Sequence, residues 1–220
     1  LFDSTLWDFY GLCGYYLEEP TRSIDRPPVG MVTGFSYGTA IFFDFIALKL
    51  GSAFWVEYFN MMSLDQGALE LDILESLLEA YGTTLSALWP TFSQWNLATG
   101  YRSGLMESYP YADLLEEAPV EEQALIGEEI YEVHRFFPLS SVYFFLEHDG
   151  GELRFVNYDA LDSDDGQSVV FSLNSIAQGE AEIVAPISET LEVWELESYQ
   201  EKQWELPPGG YWLVGSHPYR

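Results

Sequence analysis

Cysteine is almost absent from this sequence, since Cys13 is the only one among 220 residues. A single thiol cannot form an intramolecular disulfide bond, so the fold does not depend on disulfide cross-links. A chain of this length can bury enough apolar surface to fold without them. Cys13 lies on the apolar face of the first predicted helix, and no histidine precedes His134. We therefore expect a buried thiol rather than a nucleophile.

Histidine is nearly as scarce as cysteine. The three histidines, His134, His148 and His217, do not form a His-Glu-x-x-His motif, and no two of them have the spacing of zinc ligands on one helix. The sequence also lacks a Gly-x-Ser-x-Gly nucleophile motif and a glycine-rich phosphate loop. We therefore predict that this chain alone carries no zinc site and is not a complete hydrolase.

Positively charged residues are also scarce. Eight lysines and arginines stand against 36 acidic residues, which gives a net charge of −28. Such a surface repels phosphate backbones and anionic lipids, so we predict no nucleic-acid partner. No apolar run is long enough to cross a bilayer, and we predict no transmembrane segment. The charge favours solubility, and it suits surroundings rich in salt or divalent cations, which screen the self-repulsion.

Apolar residues make up 48% of the chain and aromatic residues 17%, which is typical of a globular protein with large aromatic clusters. The most apolar stretch runs from Ala40 to Leu50, where nine of the eleven positions are apolar. We predict a helix there that is buried on nearly every side, with Ser36 as its cap and Gly51 ending it in a left-handed turn. Any site in the first half is expected near the start of this helix, around Tyr37.

Helical periodicity continues on both sides of this stretch. Apolar residues recur at spacings of three and four over four further segments, which predict helices at 2–19, 52–63, 65–81 and about 84–98. Pro20 ends the first of these helices, and either Thr83 or Thr84 caps the last. Proline and glycine in 20–34 predict a loop.

The period changes to two after residue 128. Alternating apolar and polar residues predict strands at 129–136, 140–147, 152–158, 167–174, 180–185, 191–197 and 210–215. Short strands at such regular spacing are typical of an antiparallel β-sandwich, and the polar interruption at Glu195 predicts an edge strand. We predict an α+β chain: an all-helical domain over 1–115, an acidic connector over 116–127 and a β-sandwich over 128–220.

The best candidate for a cation site is the acidic turn that contains Asp162, Asp164 and Asp165. Several carboxylates on a tight turn offer the oxygen ligands that calcium prefers. The spacing does not match an EF-hand loop, because the glycine is out of register and no glutamate follows at the twelfth position. An acidic hairpin turn without a metal ion is the alternative interpretation.

Other residues allow both a functional and a structural interpretation. Asp44 and Glu57 have aromatic neighbours in the sequence, which could raise a carboxyl pKa for acid–base work, or they are helix-surface carboxylates. Trp194, Trp204 and Trp212 could line a carbohydrate-binding face or fill the core of the sandwich.

The order of several motifs resembles the C-terminal half of the catalytic domain in secreted zinc metallopeptidases of myxobacteria and their relatives. The resemblance covers about residues 1–115 and extends more loosely to the β region. The motifs that carry it are Trp7-Asp-Phe-Tyr, Tyr16-Leu17 with Pro20, Ser23-Ile-Asp25, Tyr37-Gly38 before Ala-Ile-Phe-Phe, Leu48-x-x-Gly51, Phe54-Trp55-x-Glu57, Phe92-x-x-Trp95-Asn96, Gly100-x-Arg102 and Tyr109-Pro110.

The resemblance implies a part of a peptidase rather than a whole one. In that family the His-Glu-x-x-His helix and a third, glutamate ligand precede the segment where this chain starts, so zinc is expected only if a preceding segment supplies its ligands. Tyr37 matches the tyrosine that stabilises the tetrahedral oxyanion in related aminopeptidases, and a phenol suits that role. The alternative is a helix-entry tyrosine whose hydroxyl is hydrogen-bonded within the protein.

Besides a carbohydrate- or calcium-binding accessory protein, two functional hypotheses follow. The first is the non-catalytic portion of a secreted zinc-metallopeptidase-like protein, with the helical subdomain behind the zinc cleft and an upstream fragment of the same precursor as partner. The second is an extracellular structural or binding module, derived from a peptidase fold, that contacts other extracellular proteins. Both place the protein outside the cell or at its surface. The chain begins within a predicted helix, which favours a processed piece of a longer protein.

Overall fold

A computed structural model describes residues 4–25, 34–64, 69–125, 137–156, 169–176, 187–196 and 200–217. Helices come first and strands follow, as predicted. The helices are α1 (Ser4–Leu17), α2 (Gly34–Gly38), α3 (Ala40–Leu50), α4 (Ala53–Leu64), α5 (Glu70–Ala80) and α6 (Leu85–Leu97), followed by short 3-10 turns at Gly100–Arg102 and Ala112–Leu114. The strands are β1 (Glu121–Leu125), β2 (Ser140–His148), β3 (Gly151–Val156), β4 (Val169–Ile176), β5 (Ile187–Leu196), β6 (Glu201–Leu206) and β7 (Gly209–His217).

Local chemistry explains where α6 begins. Thr84 has extended backbone angles, and its hydroxyl accepts a hydrogen bond from the amide of Ala87 at 3.1 Å. That bond satisfies one of the amides left without a partner at the start of every helix. Of the two threonines that the sequence offered as the cap, the structure selects Thr84.

The apolar stretch around α3 differs from the prediction in two ways. It forms two helices, α2 and α3, because the helix is interrupted at Thr39. Ser36 lies inside α2 instead of capping α3. The helix is also buried on one side only: Ile41 and Phe45 are fully buried, whereas Phe43 is 42% exposed. An apolar sequence does not ensure that other elements cover every side of a helix. Gly51 does end α3 with a positive φ of 90°, but its ψ of 152° lies outside the left-handed helical region that was predicted.

The helices enclose an aromatic core. Phe92 of α6 lies at its centre, with ring centroids 5.2 Å from those of Phe42 and Phe45 and 5.0 Å from that of Trp89. Tyr16 of α1 approaches the same ring at 5.8 Å. Large rings in edge and tilted contact fill this volume, and they hold α1, α3 and α6 together.

The strands that the structure describes form two sheets. The larger has the order β1-β2-β7-β4-β5, and the smaller pairs β3 with β6. All described pairs are antiparallel except β1 with β2, which is parallel. Among the described strands, β5 stands at the end of the larger sheet, in agreement with the edge-strand prediction for 191–197. Two strands differ from the prediction: β1 lies within the range predicted as a connector, and β6 was not predicted. The predicted strands at 129–136 and 180–185 lie outside the described residues.

Aromatic side chains fill the space between the two sheets. The Trp204 ring of β6 lies 4.1 Å from that of Trp194 in β5, and Phe155 of β3 lies 5.4 Å from Phe171 in β4. β6 was not predicted because its sequence is rich in charged residues. In the structure every second residue of β6 is nevertheless at least partly buried, and Leu206 is buried. One face of the larger sheet therefore packs against the smaller sheet.

The other face of the larger sheet packs against α6. Trp89 donates its indole hydrogen to the carbonyl of Ser140 at 3.1 Å, and the hydroxyls of Ser93 and Ser141 lie 2.6 Å apart. Further along α6, the amide of Gln94 donates to the Ser172 hydroxyl at 3.1 Å. The helical part and the β part therefore share one buried layer.

Candidate functional site

The residues predicted to bind calcium, Asp162, Asp164 and Asp165, lie outside the described residues. Among the residues that the structure describes, no group of three or more histidine, cysteine, aspartate or glutamate side chains is arranged to hold a metal ion. Tyr37, predicted as an oxyanion stabiliser, lies in the short helix α2 with 56% of its surface exposed.

The two carboxylates in aromatic surroundings each accept a hydrogen bond from a tyrosine. Tyr111 donates to Asp44, and Tyr81 donates to Glu57 at 2.9 Å. Burial, followed by the hydrogen bond to Asp44, raises the pKa of Tyr111. The pKa of Tyr81 is also raised, chiefly by its hydrogen bond to Glu57. Both carboxylates therefore hold a neighbouring element in place.

The tryptophans proposed for a carbohydrate face lie mainly in cores. Trp212 is fully buried between the larger sheet and α6, and Trp194 is buried between the two sheets. Trp204 is partly buried, and its indole donates to Glu192 at 2.7 Å. Their flat faces contact other side chains of this protein, so the core interpretation is confirmed for Trp194 and Trp212.

Cys13 is fully buried, as predicted. Burial, and secondly the nearby charge of Asp44, raises the pKa of the thiol from its ordinary value of 9.0 to about 12. A thiol that stays protonated at neutral pH is a poor nucleophile.

An exposed aromatic surface joins α3 and α4, and sequence reasoning missed it. We call it the aromatic ridge and define it as Phe43, Trp55, Val56 and Phe59. The rings of Phe43 and Trp55 stack with centroids 4.4 Å apart, and the Trp55 indole donates to the Phe43 carbonyl at 2.8 Å. Phe59 continues the ridge, with its ring 6.3 Å from that of Trp55. Val56 is 64% exposed and Phe59 is 56% exposed.

The charged side chains of α3 and α4 are engaged with neighbouring aromatic residues. Asp44 and Glu57 accept the tyrosine hydrogen bonds described above. The ammonium of Lys49 lies over the Trp95 ring, 4.3 Å from its centroid. The charged side chains on the two helices that carry the ridge therefore already have partners within the protein.

The signal for the ridge was present in the sequence but was open to another interpretation. The α3 and α4 segments are apolar on almost every side, which also describes a fully buried helix. Within the described ranges no single helix is long and apolar enough to cross a membrane. The segments Gly34–Leu50 and Ala53–Leu64 reach the required length and composition only together, and they meet at a bend of 117°.

Comparison with known proteins identifies no relative: no protein-family model, no curated protein and no solved structure matches this chain. The described residues define the protein by its architecture alone. A helical part and a sheet part share a buried layer, and an aromatic ridge on the helical part is exposed.

Proposed function

We propose that this chain is a non-catalytic interaction module, which binds another polypeptide through the aromatic ridge. The observation that carries the proposal is the exposure of Phe43, Val56 and Phe59 side by side on two packed helices. Contiguous apolar surface of this kind is costly in water and is typical of a site that another surface covers. Burying one such side chain contributes about 1.5–3 kcal/mol.

The charge of the chain favours a particular occupant. At a net charge of −28, two copies of this chain repel each other, and so do this chain and an anionic bilayer. A neutral or basic amphipathic helix has no such penalty. It could place its apolar face along Phe43, Trp55 and Phe59, as helices do in hydrophobic grooves. The proposed occupant is therefore a polypeptide helix with an apolar face and a neutral or basic opposite face.

A second candidate function identifies the bound polypeptide as a fragment of the same precursor protein. In this hypothesis the chain is the non-catalytic portion of a secreted zinc-metallopeptidase-like protein, its strands form a β-sandwich, and the occupant is the upstream fragment that carries the zinc ligands. The exposure of Tyr37 favours it, because α2 directly precedes α3 and leaves the phenol open to a neighbouring segment. The motif order described above supports the same interpretation. Both candidates place the protein outside the cell or at its surface.

Binding of a synthetic amphipathic peptide tests the interaction module. The probe is a labelled leucine–lysine helix of about 18 residues, long enough to be helical when bound. Fluorescence anisotropy is measured in about 0.5 M NaCl, which screens nonspecific attraction to the acidic surface. The double variant Phe43→Ser, Phe59→Ser should weaken binding by about tenfold or more, because two apolar contacts are lost.

The matched control is Val193→Ser, which removes an exposed apolar side chain from β5, away from α3 and α4. It should bind the peptide as the unchanged chain does. Equal affinity for all three proteins would refute the ridge as a binding surface. A dimer that dissociates in the double variant, seen by sedimentation, would assign the ridge to a second copy instead. Ridge-dependent binding to neutral phosphatidylcholine vesicles alone would assign it to lipid.

Mass spectrometry of the native protein separates the two candidates. Intact mass and N-terminal sequencing show whether a longer precursor is cut before Leu1 and whether the preceding piece remains bound. A bound piece that contains His-Glu-x-x-His, and that dissociates in the ridge variant, supports the metallopeptidase-like candidate. A native protein without such a piece contradicts that candidate and leaves the interaction module intact.

A further inference from the structure

A groove lies between α6 and the β5 end of the larger sheet. Ser172 and Val193 share a face of the sheet, because they are paired in the register of β4 and β5. The 3.1 Å hydrogen bond from Gln94 to Ser172 identifies this face as the one that α6 covers. The cover is incomplete, since Val193 is 54% exposed. The α6–β5 groove has a volume of about 480 Å³, and its lining includes Ser86, Pro90 and Gln94 of α6 and Val170, Val193 and Glu195 of the sheet.

Pro90 provides the groove with a backbone acceptor. Proline has no amide hydrogen, so residue 90 cannot donate the helical hydrogen bond to the carbonyl of Ser86, four positions earlier in α6. A backbone carbonyl that loses its helical partner needs a donor from elsewhere. Ser86 and Pro90 are both partly buried, and both line the groove. A ligand in the groove can therefore supply the donor that the helix does not.

Other polar groups of the groove are also acceptors. Glu195 contributes a carboxylate, whose two oxygens can accept several hydrogen bonds at once. The carboxamide nitrogen of Gln94 already donates to Ser172, so the oxygen of this side chain is the group that can still accept from a ligand. The hydroxyls of Ser86 and Thr84 lie 2.9 Å apart and bond to each other. A ligand that fits this groove must therefore bring several hydrogen-bond donors.

Charge favours a cation among ligands that carry donors. Glu195 brings a full negative charge to the groove, and the net charge of −28 attracts cations to the protein as a whole. The start of α6 acts in the opposite direction, because the first turn of a helix is equivalent to about half a positive charge. That effect falls off within the first turn, and Pro90 lies beyond it. The carboxylate therefore dominates, and the groove favours a positively charged ligand.

We propose that the α6–β5 groove binds the side chain of an arginine residue in a partner polypeptide. The guanidinium group has five N–H donors in one plane, and it donates to the Glu195 carboxylate and the Ser86 carbonyl. Its alkyl stem packs against Pro90, Val170 and Val193. The ammonium of a lysine has fewer donors and is more strongly hydrated, so it fits these acceptors less well. The site is separate from the aromatic ridge on α3 and α4.

Titration of the ¹⁵N-labelled chain with N-acetylarginine methylamide, followed by NMR in about 0.15 M NaCl, tests the proposal. The amide signals of Ala87, Thr91 and Val193, which line the groove, should shift. N-acetylcitrulline methylamide has nearly the same shape without the charge and should bind at least about tenfold more weakly. Methylguanidinium lacks the alkyl stem and should also bind at least about tenfold more weakly. Equal affinity for the citrulline compound would overturn the cation preference, and equal affinity for methylguanidinium would assign the groove to free guanidinium compounds.

Two variants test the acceptors separately. Glu195→Gln should weaken binding of the arginine compound by about tenfold, whereas the control Glu152→Gln, which removes the same charge from an exposed residue of β3, should bind as the unchanged chain does. Pro90→Ala restores an amide hydrogen for the Ser86 carbonyl, so it should raise the Tm and yet weaken binding by about threefold or more. Unchanged affinity in either variant, or signal shifts away from α6 and β5, would refute the site. The leucine–lysine peptide used for the ridge contains no guanidinium, so failure of one site leaves the other standing.

Discussion

Many side chains in this protein owe their role to a partner far along the chain. The residues next to Asp44 and Glu57 in the sequence do not indicate a partner for either carboxylate, yet each accepts a hydrogen bond from a tyrosine far along the chain. Arg102 is buried, and its guanidinium donates to the carbonyls of Leu97 and Ala118. A buried charge is tolerated when its donors are satisfied in this way. At the residue scale, function and stability therefore depend on contacts that sequence neighbours do not show.

We predict that Cys13 is unreactive in the folded protein. Ellman's reagent should not label it at pH 8, because the thiol is fully buried and its pKa is raised to about 12. Labelling should become fast after denaturation, which serves as the control. Rapid labelling of the native protein would contradict the burial of α1.

The raised pKa of Cys13 also gives the direction of an effect at alkaline pH. The unfolded thiol ionises near its ordinary pKa of 9.0, whereas the folded thiol keeps its proton up to about 12. The protonated thiol of Cys13 therefore makes its full contribution to the free energy of unfolding below pH 9, and this contribution is lost as the pH rises from 9 to about 12. Between those values the free energy of unfolding should fall more steeply than in Cys13→Ala, by up to about 1.4 kcal/mol per pH unit. Equal slopes would contradict the shift.

At the element scale, close packing explains a glycine in the Tyr37-Gly38 motif. A side chain at Gly38 would lie 2.6 Å from the Tyr16 amide nitrogen and 2.7 Å from the Leu12 carbonyl oxygen. Both atoms belong to the backbone of α1 and cannot move aside. The glycine therefore allows α2 to pack directly on α1, which is a structural reason for the motif that needs no catalytic role.

We predict that Gly38→Ala destabilises the protein by about 1–3 kcal/mol, because α1 and α2 must separate to accept the methyl group. The matched control is Gly11→Ala, at an exposed position of α1 where nothing lies within 4 Å. That change should be neutral or stabilising by up to about 1 kcal/mol. Urea unfolding measures both, and equal effects would contradict the packing of α2 on α1.

The start of α6 offers a second prediction at this scale. Thr84→Ala removes the hydroxyl that caps the Ala87 amide, and it should cost about 0.5–2 kcal/mol. Thr83→Ala is the control, since it makes the same chemical change one residue earlier, and it should stay within about 0.5 kcal/mol. Both variants are measured by urea unfolding. A larger loss of stability for Thr83→Ala than for Thr84→Ala would contradict the assignment of Thr84 as the cap.

The whole molecule is dominated by its net charge of −28. Self-repulsion opposes the compact state, and added salt screens it. We predict that raising NaCl from low concentration to about 0.5 M stabilises the protein by about 1–2 kcal/mol, which corresponds to a rise in Tm of about 2–8 °C in scanning calorimetry. A Tm that falls or stays constant would contradict this electrostatic account.

Calcium and magnesium compared at equal ionic strength give the control for that experiment. Screening alone predicts equal Tm values in the two salts. A higher Tm in calcium would support the predicted site at Asp162, Asp164 and Asp165, because a ligand that binds only the folded state raises stability.

Sequence patterns predicted most of the helices and strands that the structure describes. Helical periodicity located five segments close to α1, α3, α4, α5 and α6, and alternation located β2, β3, β4, β5 and β7. These patterns succeed because they reflect local geometry: side chains repeat every 3.6 residues in a helix and every two in a strand. β6 was missed because its charged residues mask the alternation, and the parallel pairing of β1 has no local signature.

The sequence by itself determined the order of helices and strands, the extreme acidity and the burial of Cys13, because each follows from local spacing or from composition. Only the tertiary structure decided which side of α3 is covered, which residues form the aromatic ridge and which polar side chains of α6 bond to the larger sheet. Covering a helix face requires another element to pack there, and such packing joins residues far apart in the chain. The apolar stretch from Ala40 to Leu50 shows this limit: its sequence is apolar almost all round, yet its packed neighbours leave one side open.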